Sequence, residues 1–533
     1  MYRAKYLAAP VGVLTRSSVV LPVSVSLIFV VVTLLAAYPG MMNPDSVQQL
    51  YAARHLSDVN DWHSPIILVF WSFFTPWSRS PENKLFVQIA LCTIAIYRYT
   101  HAAVTILGPR PSPLQMGVLA IPVCVFLPML TVLAGFVGTD ALMTCSLAAA
   151  SSILCNAQLE GRMLRAFENV AIGILLLFGG FCRVNSFAAL WPLFGWWFLR
   201  AFPRKTSDRI GLRHAGAGAL GVISAIGLVA CMPWVNHTLL GAKDARAISS
   251  LQIFDLAGIT RQTGENQFAP LLPADSEFNE RRISTCYNPA LWDPYDTGDW
   301  STDWPDPASH DCGGMRRILV ERGLFGSPLL QRTWLNAVWQ HPAAYAGHRF
   351  AHFAASLKLY AHSYAAFYSV PFIDPQGVMN TNPVPTSTAA TPGSYWASQH
   401  LALLEGVDLW NPNAFTRWYF RLVHVIVGLL VFGPAEWLLF ACLAFVWATH
   451  KLSRTDHAVA GIVWPLSMSA MSYTAGFAIV GVGFGTRYHM WLYLVCAMTA
   501  PLLCASALAR AKHKTTVISS EAPLGKTLAA KTT

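Results

Sequence analysis

MGVLAIPVCVFLPMLTVLAGFV, residues Met116 to Val137, runs for twenty-two residues without one charged side chain. Wound as an α-helix, such a run is long enough for the roughly 30 Å hydrocarbon core of a bilayer. Ser17 to Pro39, Leu85 to Leu107, Ala215 to Val235, Val459 to Gly481 and Met490 to Ala507 read the same way. Lipid offers no water to unpaired backbone groups, so a spanning segment is a helix or part of a closed barrel. These runs lack the alternation of barrel strands and therefore predict helices.

Composition agrees. Of 533 residues, 54% are hydrophobic and 12% charged, about half the charged share of an ordinary soluble domain. The formal net charge of +10 is carried mainly by short connections. Arg3, Lys5 and Arg16 precede the first run, Arg162 and Arg165 lie between runs, and Arg200 to Arg213 holds five basic residues. Lys451 and Arg454 lie in another connection, and Arg510 opens a basic tail. Basic residues collect on the cytoplasmic side of membrane proteins, so the charge reads as orientation. No basic stripe is interleaved with exposed aromatics, which argues against a nucleic-acid partner.

The expected fold is all-α and polytopic, with about ten transmembrane helices and both termini cytoplasmic. The first run has a basic leader but is long for a signal peptide, and reads as an uncleaved anchor. Residues 1–236 form an N-terminal membrane domain with an outer loop at 38–84. Residues 237–419 form a large extracytoplasmic subdomain, mixed or loop-rich, because so long a connection without structure of its own is uncommon. Residues 420–510 supply the last spans, and 511–533 read as a disordered cytoplasmic tail. Phe415 to His450 is long for one helix and short for two. An amphipathic lead-in, Arg417 to His424, followed by one span fits it best, with Pro434 as the interruption.

Nine of eleven cysteines lie in or beside apolar runs, where they act as small hydrophobes. Cys286 and Cys312 are alone in the outer segment, and an oxidising compartment suggests a disulfide between them; two free thiols are the alternative.

Several polar residues stand at the outer ends of the runs. Asp45, in Asn43-Pro44-Asp45-Ser46, follows the first run. Either Asp45 or Ser46 suits the cap of a short helix, and Asp45 equally suits a proton acceptor at the membrane surface. His63, in Asp61-Trp62-His63-Ser64-Pro65, is an interfacial hydrogen bonder or a phosphate partner. It precedes Ile66 to Trp77, an apolar stretch too short to span. Thr139-Asp140 opens another run, and Asp140 is either a helix cap or a charge facing a cavity. Arg183, Arg349 and Arg487 are cations on the outer side, against the general charge pattern. They snorkel, pair with carboxylates or bind an anion. A cluster of Trp292, Asp293, Asp296, Asp299, Trp300, Asp303, Trp304 and Asp306 suits sugar recognition or a solvated loop. Asn236-His237-Thr238 matches a glycosylation sequon.

In order, these motifs resemble the polytopic glycosyltransferases of the C superfamily, which use polyprenyl-phosphate sugars. Protein O-mannosyltransferases and the lipid A aminoarabinose transferase belong to it. The resemblance rests on Asp45 in the first outer loop, His63-x-Pro65, Asp140, Arg183-x-Asn185, His341-Pro342-x-x-Tyr345 with Arg349, and Arg487-Tyr488. The first loop departs from the family pattern in carrying Ser46 after Asp45 and Ser64 before Pro65.

The resemblance implies an inverting glycosyltransferase on the periplasmic side of a bacterial inner membrane, building cell-envelope polysaccharide or a similar product. A sugar would pass from a polyprenyl-phosphate donor to a glycan, lipid or protein hydroxyl. Asp45 would be the base, and Asp140, the other catalytic residue, would orient the sugar or an arginine. His63, Arg183, Asn185, Arg349, Arg487 and Tyr488 would hold substrate or phosphate. A nucleotide sugar is not required, and the resemblance points to no definite cofactor while allowing a divalent metal. A transporter or flippase of a lipid-linked or small polar substrate is the alternative.

Overall fold

The computed structural model describes residues 16–78, 80–202, 210–272, 279–296, 315–357, 359, 372–373, 379–380, 407, 410–429, 433–454, 458–483 and 486–520. Among them, eight helices are long and apolar enough to cross a membrane. They are α1 (Arg16–Ala37), α4 (Glu82–Leu107), α5 (Pro113–Gly135), α6 (Thr139–Leu159), α9 (Ile210–Pro233), α16 (Pro434–Arg454), α17 (Ala458–Val480) and α18 (Met490–Ser520).

The difference from about ten lies in two neighbouring apolar helices, α7 (Ala166–Cys182) and α8 (Phe187–Ala201), of 17 and 15 residues. The backbone leaves the helix at Arg183, which is extended (φ −152°, ψ 132°), and the short turn Val184–Ser186 starts the return.

α6 is the hub. Every residue from Asp140 to Cys155 is buried, and the helix packs against α4, α7, α8, α17 and α18. Its sequence explains this, since Ala, Ser, Cys and Thr let neighbouring backbones approach from several sides. The hydroxyls buried with them bond back to their own helix. Thr144 donates to the Asp140 carbonyl at 2.6 Å and Ser146 to that of Leu142 at 2.8 Å, as a polar group in an apolar bundle must. Elsewhere glycine allows close crossings. A Cβ on Gly221 of α9 would lie 2.3 Å from the Trp191 carbonyl oxygen of α8.

The expected lead-in is present as α15 (Ala414–Leu429), which crosses the anticipated boundary at 419/420. It buries Thr416, Tyr419, Phe420 and Val423 and exposes Arg417, Trp418 and Arg421. Pro434 then opens α16, a position where its missing N–H costs no helical hydrogen bond. At the C-terminus α18 continues to Ser520, so residues 511–520 are helical rather than disordered. Residues 521–533 lie outside the described residues.

Between α9 and α15 the described chain has its own hydrophobic cluster. Here α10 (Ile248–Thr263) is buried along most of its length. It packs against α11 (Glu280–Cys286), α13 (Pro328–Gln340) and α14 (Pro342–Ser356), while α12 (Met315–Glu321) adds Met315 and Leu319 to the cluster. The described part of this segment, expected to be mixed or loop-rich, is mainly helical. Two two-residue strands, β1 (Phe372–Ile373) and β2 (Met379–Asn380), pair antiparallel.

Two short helices, α2 (Pro44–Arg54) and α3 (Pro65–Ser72), form the first loop, and backbone pairs stitch it in on both sides. Met41 N–H donates to Gly135 O at 3.0 Å and Val137 N–H to Met41 O at 2.9 Å. Asp61 N–H donates to Lys243 O at 3.1 Å and Lys243 N–H to Val59 O at 2.9 Å. The loop is thereby tied to both the bundle and the start of the helical cluster.

The close α8–α9 crossing gives a direct test. Gly221→Ala should lower the thermal stability of the detergent-purified protein by about 1–3 kcal/mol, since the new methyl meets backbone that cannot yield. Gly227→Ala, with open space around it, should leave the melting temperature unchanged or raise it slightly.

Candidate functional site

Asp45 owes its freedom to its neighbours. Asn43, not Asp45 or Ser46, caps α2. Its Oδ1 accepts from the Ser46 N–H at 2.9 Å and from the Ser46 hydroxyl at 2.8 Å. Pro44 occupies the first helical position and Asp45 the second, so its carboxylate is spared capping, and its Oδ2 accepts from Asn43 Nδ2 at 3.5 Å. Arg487, 442 residues later, donates from Nη1 to Asp45 Oδ2 at 2.7 Å. The Asp45 side chain keeps 42% exposure, which leaves it accessible from the cavity. Burial by itself pushes its pKa up. Arg487, His63 and Arg183 together outweigh that and hold it at about 2.

A second ion pair lies beside the first. Arg183 grips Asp140 with Nε and Nη2, each 2.6 Å from a carboxylate oxygen. Asp140 is 2% exposed and Arg183 28%. Gly138 holds the capping position of α6, so Asp140 is in the first turn rather than the cap. With both oxygens engaged, its geometry is that of a group that orients Arg183, not of a free base. The Tyr488 ring meets both guanidiniums, Arg183 at 5.2 Å and Arg487 at 4.9 Å, and its hydroxyl accepts from Arg487 Nη2 at 2.9 Å.

His63 Nε2 is 3.2 Å from Gln48 Oε1, which sets that nitrogen as the donor. Burial lowers the His63 pKa, and the two arginines add to this against the pull of Asp45. The imidazole is therefore neutral at pH 7.

These groups line an open cavity of about 660 Å³, within the usual size range of small-molecule sites. Trp62 and Trp292 also line it, with ring centroids 6.0 Å apart. Arg316 also lines it, held by Asp296 at 2.8 Å, with its guanidinium 5.1 Å from the Trp62 ring.

Of the expected residues, Asp45, His63, Arg183, Arg487 and Tyr488 face this cavity, and Asp140 stands behind Arg183. Asn185 is in the turn after α7 and does not line the cavity. Arg349 is not a cavity residue either, which corrects its expected role. It is buried on α14 in an ion pair with the fully buried Asp255, and its Nη1 donates to the Gly481 carbonyl at 2.6 Å. Asp255 also accepts from Trp334 Nε1 at 2.8 Å and lies 3.2 Å from His348 Nε2. Arg349 thus anchors the turn that carries Arg487 and Tyr488. The Trp292 N–H bonds the next carbonyl in that turn, Val482, at 3.0 Å.

Sequence reasoning missed Lys84 and Arg316. Lys84 is fully buried, 4.4 Å from the centre of the Trp71 ring and 3.3 Å from Gln49 Oε1. It was legible by the same signal as Arg183, a cation at the end of an apolar run nearest the cavity. Arg316 had no such signal, because nothing local tells a solvated arginine from one laid over an indole.

Cys286 is disulfide-bonded, and the nine cysteines of the apolar runs are free. Cys312 lies outside the described residues, as do Asp299, Trp300, Asp303, Trp304 and Asp306. Among the described residues no group of three or more His, Cys, Asp or Glu side chains is placed to hold a metal. No family model, curated protein or solved structure matches the chain.

Two measurements check this geometry. Arg487→Gln should raise the protonation midpoint of Asp45 from about 2, because burial then acts with less opposition. Infrared titration of the carboxyl band, with Asp45→Asn as the blank, reads it. In wild type the depressed pKa means that the contribution of Asp45 to stability is fully present above the ordinary carboxylate pKa. It is lost as pH falls through about 2. Arg349→Ala should cost about 3–5 kcal/mol in thermal or denaturant melts, since it strips a buried carboxylate of its partner.

Proposed function

We propose that the chain is an inverting glycosyltransferase that moves a sugar from a polyprenyl-phosphate donor to a hydroxyl acceptor. In this reading α7 and α8 join the eight long helices as short crossings, giving ten. The cavity opens on the extracytoplasmic face of a bacterial inner membrane and both termini are cytoplasmic. The orientation is supported by the basic residues Arg162, Arg165, Lys451 and Arg454, which fall at helix ends opposite to Asp45, and by Arg510 in the second half of α18.

The observation that carries the reading is one accessible carboxylate, Asp45, flanked by Arg183 and Arg487 in a cavity at the end of an apolar bundle. Both guanidiniums keep about a quarter of their surface open, 28% and 25%. A donor phosphate accepts their remaining N–H groups. The acceptor oxygen attacks the anomeric carbon from the face opposite the phosphate, and the bond from that carbon to the phosphate oxygen breaks. The electron pair leaves with the polyprenyl phosphate, which gains charge as it becomes a monoester. Arg183 and Arg487 stabilise that charge, which develops most fully in the transition state.

The acceptor proton goes to Asp45. At a pKa of about 2 the resting carboxylate is a poor base. Donor phosphate competes for Arg487 and loosens its hold, which raises the proton affinity of Asp45 when a proton has to be taken. Asp140 keeps Arg183 in place, and Tyr488 braces both guanidiniums.

Purified protein given a radiolabelled polyprenyl-phosphate sugar should release free polyprenyl phosphate, and Asp45→Asn should slow release by about a hundredfold or more, the usual worth of a general base. Equal turnover by both forms removes Asp45 from the chemistry. Absence of turnover, with transfer of a lipid-linked substrate across proteoliposomes, puts a transporter first.

A further inference from the structure

The cavity wall carries two kinds of group, the Asp45–Arg487 and Asp140–Arg183 pairs with Tyr488, and indoles beside the Asp296–Arg316 pair. We infer that the second group, built on Trp62, Trp292, Asp296 and Arg316, is a subsite for a saccharide, so that the acceptor is a glycan. The inference rests on the transfer reading above and names its acceptor class.

The charge balance comes first. Asp296 and Arg316 neutralise each other at 2.8 Å, as the Asp45–Arg487 and Asp140–Arg183 pairs do, so net charge alone does not select the partner of this group. It is nevertheless rich in hydrogen-bonding groups. The carboxylate retains lone pairs and the guanidinium retains N–H groups beyond the one bond they share. Asn60 lines the same wall.

The aromatic groups come second. Trp62 belongs to the first loop and Trp292 to the segment after α11, 230 positions apart in sequence (292 − 62). Their rings meet at the cavity with an interplanar angle of 45°. Both are held by backbone. The Trp62 N–H donates to Asn60 Oδ1 at 3.0 Å, and the Trp292 N–H to the Val482 carbonyl at 3.0 Å. Trp62 is half-buried, with its indole at the cavity wall. Trp292 is 4% exposed and backs Trp62, whose half-buried indole beside a hydrogen-bonding pair matches a sugar ring, with its apolar C–H face and its rim of hydroxyls. An acyl chain would strand the Asp296–Arg316 pair without hydrogen bonds. An extended peptide is recognised through main-chain hydrogen bonds and side-chain pockets, and this wall is built from indoles and a paired carboxylate and guanidinium.

The placement also fits the reaction. Asp45, Trp62, Arg183 and Arg487 line one cavity of about 660 Å³, so a saccharide on Trp62 and a donor phosphate on the two arginines would share it with the carboxylate.

The test is binding without donor. The full-length protein in nanodiscs is mixed with neutral di- and trisaccharides of glucose, galactose and mannose, and saturation-transfer NMR reads which sugar protons touch protein. A serine- and threonine-containing peptide is run in parallel. Expected is saccharide binding through ring C–H protons, weakened about tenfold or more in Trp62→Ala, as for loss of an aromatic anchor, and restored in Trp62→Phe. Asp296→Asn, which keeps the indoles, should weaken binding as well. Circular dichroism melts confirm that each variant is folded, and the wild-type contact map and Asp296→Asn serve if Trp62→Ala is not.

No saccharide binding, equal binding by wild type and variants, or binding by the peptide alone overturns the inference. Because no donor is present, the two readings fail separately. Donor cleavage without Trp62-dependent saccharide binding sinks this inference, and saccharide binding without donor cleavage sinks the transfer reading.

Discussion

A charge at the end of an apolar helix bundle has to be paired or hydrated, and that constraint organises this molecule. Arg183 follows α7 and Arg487 precedes α18, and they pair with Asp140 and Asp45 respectively. Leaving a buried charge uncompensated costs several kcal/mol, so the pairs fix where the two turns can lie. The Tyr488 ring, touching both guanidiniums, joins the two pairs into one unit. Its members come from α2, α6 and the turns after α7 and α17, so the bundle must be assembled before the unit exists.

The helical cluster beyond α9 acts on that unit from behind. Arg349 bonds the Gly481 carbonyl, Trp292 bonds the Val482 carbonyl, and His489 Nε2 lies 3.1 Å from the Ser356 carbonyl oxygen. All three brace the turn that presents Arg487 and Tyr488. Burial and the neighbouring arginine lower the pKa values of His348 and His352, the latter to about 4. Both imidazoles are therefore neutral around pH 7, and the anchor rests on the Asp255–Arg349 pair and on hydrogen bonds. A cavity whose paired charges are held on two sides needs little rearrangement to meet an anion, which is the condition for electrostatic stabilisation of a leaving phosphate.

The polar groups at the ends of the apolar runs nearest the cavity divide into two kinds. Asp45, Arg183, Arg487 and Tyr488 line the cavity and keep part of their surface open. Asp140, Arg349 and Lys84 are buried behind it and hold other residues in place. In a sequence the two kinds look alike, because each is a polar residue beside an apolar helix. The difference between Arg487 and Arg349 is whether the guanidinium retains exposure, a property of packing rather than of neighbours along the chain.

The sequence by itself determined the helical, membrane-type architecture, because apolar runs of bilayer length have one backbone solution in lipid. It determined the break at Pro434, the amphipathic α15 before it, and which polar residues stand at helix ends. It did not determine that α6 would be the hub, since a string of Ala, Ser and Thr has no partner until neighbouring helices close around it. Nor did it assign the cap of α2 to Asn43, place Arg316 over Trp62 or turn Arg349 inward. The cap is a local choice between Asn43 and its neighbours, while the other outcomes depend on contacts between residues tens to hundreds of positions apart, which only the tertiary structure brings together.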